Sequence, residues 1–386
     1  MTTMLPEFPF VPLPFKHASD MLRDQPLLLK TILWICRPPP PEVSAAFESW
    51  FRQHVAEQTV VLMNKNIELV QAILVFLAWN DINFYATIKD TALVQLASGL
   101  VRDLNLTRPQ WREDLAFESI VEDAAQTQNK LPPRLKQTGA DCRTLMGVYY
   151  MTSSLSSLLG KRCILEYTAH VDDCYQQLRR DEEYATDSLL LPTHLKWNHL
   201  LRTHCASIRI RLFEPFKFGD NREMPGPSHL RCRTIWDCLQ STHELYDAFR
   251  LVPVESIPSL TVISVLHIAL AIIKASRLLC VEDRAWDLIT ARTMFSLPGI
   301  LQLLSKVFED ASSSGSARTQ RVVHGLSIFS EYAEAYRGIE RAYIARLNSN
   351  DLLSSPLFMD PVDPSGGDHD FGFWNQLSDL TNGVFP

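Results

Sequence analysis

The 386-residue chain contains no CxxC pair. It has no apolar run of the roughly 18 residues that a bilayer span requires. Its last forty positions hold no lysine or arginine. The first absence excludes zinc ribbons, binuclear zinc clusters and thioredoxin-type redox motifs within these residues. Cys36, Cys142, Cys163, Cys174, Cys205, Cys232, Cys238 and Cys280 are scattered instead. The N-terminus is proline-rich and shows no basic stretch followed by an apolar run, so no secretion signal is expected. Reduced, mostly buried thiols of an intracellular protein are the expectation. The second absence makes ELVQAILVFLAW (68–79) and LTVISVLHIALAII (260–273) too short for a membrane. A helix apolar on all sides belongs in the middle of a large helical core.

Motifs of chemistry are missing too. There is no phosphate-binding loop, no HExxH and no GxSxG. His194, His199 and His204 recur every five residues, which on a helix separates successive imidazoles by about 140° and argues against shared metal ligation. Asp172-Asp173 resembles the start of the DDxxD magnesium motif of helical terpene cyclases, but Gln176 stands at the fifth position. A solvated helix start with acidic residues at its N-terminus is the simpler reading. His267, in an apolar helix, is read as a core histidine. Trp34, Trp50, Trp79 and Trp286 are read as core or rim packing. No metal, cofactor or catalytic residue is assigned, and a non-enzyme is expected. The net charge of −7 argues against nucleic acid as the main partner.

What is there is helical periodicity. Residues 1–15 carry four prolines and several aromatics and read as an extended segment laid on the body. Helices are expected over 18–36, from Ser44 as a cap onward, over 68–79 and over 90–104, the last closed by Asn105. Others are expected over 143–158, 171–180, 193–213, 230–249, 260–279, 287–294, 299–310 and 321–348. Strand signals are weak, and no repeat period emerges. The fold class is all-α: one irregular multi-helix body over 1–348, then a tail over 349–386, disordered or loosely docked.

That tail alternates Asp351, Asp360, Asp363, Asp368, Asp370 and Asp379 with bulky apolar residues. Such a composition is that of an activation segment. Phe371, Phe373, Trp374, Leu377 and Leu380 are its candidate partner-binding residues. Phe373, Trp374, Leu377 and Leu380 share one helical face, which fits either a groove on the body or a partner protein.

The order of the segments carries a resemblance. The pieces are Phe10-Val11, RDQPLLL (23–29), ELVQAILVFLAW (68–79), QLASGLVRDLNLTRP (95–109), RTLMGVYYMTSSLSS (143–157), YATD (184–187) and KASR (274–277). In this order they resemble the regulatory, or middle homology, region of fungal zinc-cluster transcription factors, over roughly residues 8–345. The resemblance implies a nuclear transcriptional regulator, with a cytoplasmic pool as the alternative. It implies an activator of a pathway-specific gene cluster, for example one for a secondary metabolite. The family binds DNA through six N-terminal cysteines, and these 386 residues hold no such cluster, so direct specific DNA binding does not carry over. Coactivators or a DNA-binding partner protein are the implied contacts, with a small-molecule effector as an addition. A helical small-molecule sensor, or an enzyme with a site free of motifs, are the alternatives.

Overall fold

In the computed structural model the described residues are 4–15, 17–80, 91–108, 137–158, 163–190, 199–212, 228–280, 286–314, 322–323 and 326–348. Among them the chain is all-α and forms a single body. The described residues hold thirteen α-helices: α1 (Ala18–Asp24), α2 (Pro26–Cys36), α3 (Pro41–Ala56), α4 (Ile67–Ala78), α5 (Thr91–Asp103), α6 (Gly139–Leu158), α7 (Ala169–Asp181), α8 (His199–Leu212), α9 (Ser228–Arg250), α10 (Val262–Leu278), α11 (Leu288–Met294), α12 (Leu297–Ser312) and α13 (Ile328–Asn348). No helix among the described residues is long and apolar enough to cross a membrane.

Two helices form the centre, and they are the two that lack a polar face. In α4 every residue from Leu69 to Ala78 is buried. In α10 every residue but Arg277 is buried. α4 packs against α2, α5, α6 and α10, and α10 packs against α6, α8, α9 and α12. The apolar stretches singled out in the sequence therefore meet at the core. α4 starts cleanly because the Asn66 side chain accepts from Leu69 N at 2.9 Å.

Side-chain hydrogen bonds tie the elements in specific register. Glu68 Oε1 accepts from Leu27 N at 2.6 Å and Leu28 N at 3.2 Å. A carboxylate thus sits on the N-terminus of α2, where the backbone donors are otherwise unpaired. Gln71 Nε2 donates to Thr144 Oγ1 at 3.2 Å, joining α4 to α6. Trp79 Nε1 donates to Ser259 O at 3.0 Å, joining the end of α4 to the turn before α10. Gly147 lets α6 press against α4, since a Cβ there would lie 2.8 Å from Phe10 Cβ and 2.9 Å from Leu74 Cδ1.

The N-terminal segment does lie on the body, with Met4, Phe8, Phe10 and Val11 buried. It includes one 3-10 turn, Leu5–Glu7, which the proline at its start tolerates. Phe8 meets Trp79 edge-on at 5.7 Å, and Phe10 stacks on Tyr150 at 5.3 Å.

Three expectations are corrected. The pattern over 18–36 is two helices, broken at Gln25, because Pro26 keeps the residue before it out of helical geometry. Ser44 is not a cap: Pro40 holds that position, and the buried Ser44 hydroxyl accepts from Trp34 Nε1 at 3.0 Å. The last helix begins at Ile328 rather than at 321. Val322–Val323 pair with Leu326–Ser327 as a two-residue antiparallel ladder just before it. α12 and α13 then pack closely around Phe308, whose ring faces Phe329, Tyr332 and Tyr336 within 6.3 Å.

Candidate functional site

The tail residues Phe371, Phe373, Trp374, Leu377 and Leu380 lie outside the described residues, as do His194 and the side chains of His199 and His204. Among the described residues no group of three His, Cys, Asp or Glu side chains is placed to hold a metal ion. Asp172 sits in the first turn of α7 and accepts a hydrogen bond from the Tyr167 phenol. That bond pushes the phenol up to about 12, with burial adding to it. His267 is buried in α10, as a core histidine would be. Trp34, Trp79 and Trp286 are buried, and each indole N–H has a partner at 3.0 Å. Trp50 stands at the rim, 37% exposed.

A groove lies on the described surface. Its volume is about 490 Å³, within the usual range for small-molecule pockets. Its walls come from the end of α5 (Arg102, Thr107, Arg108), the segment before α7 (Ile164, Leu165, Glu166, Thr168), and facing positions of α6 and α7 (Leu145, Val171).

Local chain geometry builds it. Asn105 takes a left-handed conformation, with φ 57°. Leu106 N then donates back to Val101 O, and Asn105 N to Arg102 O, both at 2.9 Å. This is a Schellman ending, in which asparagine can stand in for glycine. It turns the chain sharply and buries Leu106, so Thr107 and Arg108 emerge at the groove. Arg102 donates through Nη2 to Ile164 O at 2.7 Å and fixes the opposite wall. Leu145, Leu165 and Val171 are buried and give an apolar floor. Arg102, Arg108 and Glu166 are exposed and give a charged rim. A molecule with an apolar chain and a negative group would meet the floor with the one and Arg102 and Arg108 with the other, with Glu166 opposing it.

α6 is anchored by a buried ion cluster. Arg143 is bidentate to Asp187, with Nε–Oδ1 and Nη2–Oδ2 both 2.7 Å, and reaches Glu183 Oε2 at 3.0 Å. Arg143 and Asp187 are each 1% exposed. Burial works against the Arg143 charge, but the hydrogen bonds to Asp187 and Glu183 outweigh it, and its pKa is raised. The Tyr184 ring lies 4.5 Å from the guanidinium carbon. Tyr184 N also donates to Asp187 Oδ2 at 3.0 Å. Gly139 makes room, because a Cβ there would come within 2.9 Å of Glu183 Oε2.

Sequence reasoning did not find the groove. Most of its residues lie on a helix end and an irregular segment, which carry no period, and only Leu145 and Val171 come from facing helices. The alternation of Arg102 and Arg108 about Asn105 is the one local sign, and it matches no motif.

No family model and no solved structure matches the chain. Two curated proteins are similar to it. Transcription factor opdL of Penicillium oxalicum is 21% identical over 307 residues, covering 66% of this chain and 54% of that protein. Transcription factor himD of Aspergillus japonicus is 23% identical over 190 residues, covering 49% of this chain and 31% of that protein. The chain therefore spans about half of the one and about a third of the other.

Proposed function

We propose that this chain is the helical regulatory part of a fungal transcriptional regulator, without enzymatic activity of its own. It acts in the nucleus, through coactivators or a DNA-binding partner, on a pathway-specific gene cluster such as one for a secondary metabolite. The observation that carries the reading is the similarity to two proteins named as transcription factors. It is supported by how the sequence pieces behind the family resemblance meet. Glu68 caps the helix of the RDQPLLL piece, Gln71 reaches the Thr144 of RTLMG, and Arg143 binds the aspartate of YATD. These pieces are in contact in the folded chain.

The output is assigned to the acidic-aromatic tail. A reporter assay tests it, with the full chain tethered to an unrelated DNA-binding domain in a fungal host. The full chain should activate, and Phe373→Ala with Trp374→Ala should abolish activation while leaving the melting temperature unchanged. Equal loss of melting temperature and activity would mean that the tail packs on the body instead.

A second reading, a small-molecule sensor, is favoured by the groove, and the two readings are compatible. Octanoate is a suitable probe, with octanol as its neutral counterpart. Octanoate should raise the melting temperature of the full chain by mass action. Arg102→Glu combined with Arg108→Glu should remove that shift. An equal shift from octanol would discount the arginines.

A further inference from the structure

Helices α2 and α3 present an apolar face to solvent. Lys30, Leu33 and Arg37 follow one another at steps of three and four residues along α2 and its C-cap, so they share one side. Val43, Phe47, Trp50 and His54 do the same along α3. Leu33 is 55% and Val43 54% exposed, and the rim residue Trp50 stands with them. Lys30 joins the two rows, with its Nζ 5.1 Å from the centroid of the Trp50 ring.

Trp50 is held in place from within. A column of rings runs outward from the core. Phe76 stacks on Trp34 and Trp34 on Phe47, both at 5.3 Å. Phe47 meets Trp50 at 5.5 Å, and Trp50 stacks on His54 at 5.2 Å. An exposed indole fixed in this way loses little freedom when a partner covers it. Tryptophan is also enriched among the residues that carry binding energy. α3 then runs into one π-helical turn, Glu57–Val61, and residues 60–63 (VVLM) are all exposed. A run of exposed apolar residues marks an interaction surface.

Charge selects the occupant. Among the described residues neither Lys30 nor Arg37 has a carboxylate partner, whereas Arg52 and Lys65 are paired with Glu48 and Asp103. Glu42, next to Val43 in the chain, stands about 100° round the helix from it. A second copy docking through the same face would set Lys30 and Arg37 against themselves. An acidic segment would meet both with opposite charge.

We propose that the face of α2 and α3 is a docking surface for an acidic amphipathic helix of a partner protein. The apolar row of that helix covers Leu33, Val43 and Trp50, and its carboxylates reach Lys30 and Arg37. That the partner is a coactivator or a DNA-binding protein rests on the transcriptional reading. The docking itself rests on the face alone.

The test is fluorescence anisotropy with the purified full chain and a labelled helical peptide of about 15 residues. The peptide carries leucine or phenylalanine at i, i+4, i+7 and i+11 and glutamate elsewhere, and a twin carries lysine in place of glutamate. The acidic peptide should bind, more weakly as salt rises, and the lysine twin should not. Leu33→Glu should weaken binding about tenfold or more, as should Lys30→Glu combined with Arg37→Glu. These variants change exposed side chains, so the melting temperature should not move. Equal binding of both peptides, binding of neither, or binding that both variants leave intact would overturn the proposal. Binding only to the chain with Phe373→Ala and Trp374→Ala would give the face to the chain's own tail. A dimer that Leu33→Glu dissolves would give it to a second copy. Either result would overturn the assignment to a partner protein. The tethered reporter reads the tail and this assay reads the body, so each can fail without the other.

Discussion

Arg143 shows how differently two carboxylates on one guanidinium can count. Asp187 is buried with it, whereas the Glu183 side chain is 53% exposed. Asp187→Ala leaves a buried positive charge with half of its partners, and a loss of about 3–5 kcal/mol is expected. Glu183→Ala removes a solvent-screened contact, and about 0–1 kcal/mol is expected. Guanidinium chloride unfolding of the two variants measures the difference. Equal losses would mean that Asp187 is as well solvated as Glu183. Nothing in the sequence marks Arg143 as buried, because an arginine is usually a surface residue. Its partner lies 44 positions away and follows no spacing rule.

Elements with a strong apolar period are readable, and α4, α5, α10 and α12 lie close to where periodicity places them. Errors come at their ends, where a proline, a buried serine or a two-residue ladder overrides the period. Two glycines inside helices illustrate what periodicity leaves out. Gly99 of α5 has nothing within 4 Å of the point where a methyl group would stand, whereas Gly147 of α6 has Phe10 and Leu74 under 3.0 Å. Gly99→Ala should therefore stabilise by up to about 1 kcal/mol through helix propensity. Gly147→Ala should destabilise by about 1–3 kcal/mol, because overpacking outweighs the same propensity gain. Thermal unfolding of both variants gives the two signs. Stabilisation by both would mean that α6 and α4 stand further apart than the structure places them.

For the whole molecule, the sequence supports one all-α body, and the structure has it, with α4 and α10 at its centre. The groove is not readable at this scale. It arises where a helix end, an irregular segment and two helix faces converge, and convergence is a property of tertiary packing. The tail, which carries the proposed output, rests on composition alone. α4 has one more consequence. A helix with no solvent-facing side and neighbours on all flanks cannot open by itself. Its amide protons from Ile73 to Leu77 should exchange for deuterium only when the entire body comes apart. They should share one opening free energy, equal to the global unfolding value measured with denaturant, while the amides of α1 exchange far sooner. Mass-resolved exchange would make α4 a clock for the lifetime of the folded protein, and a faster local rate there would show that the centre breathes.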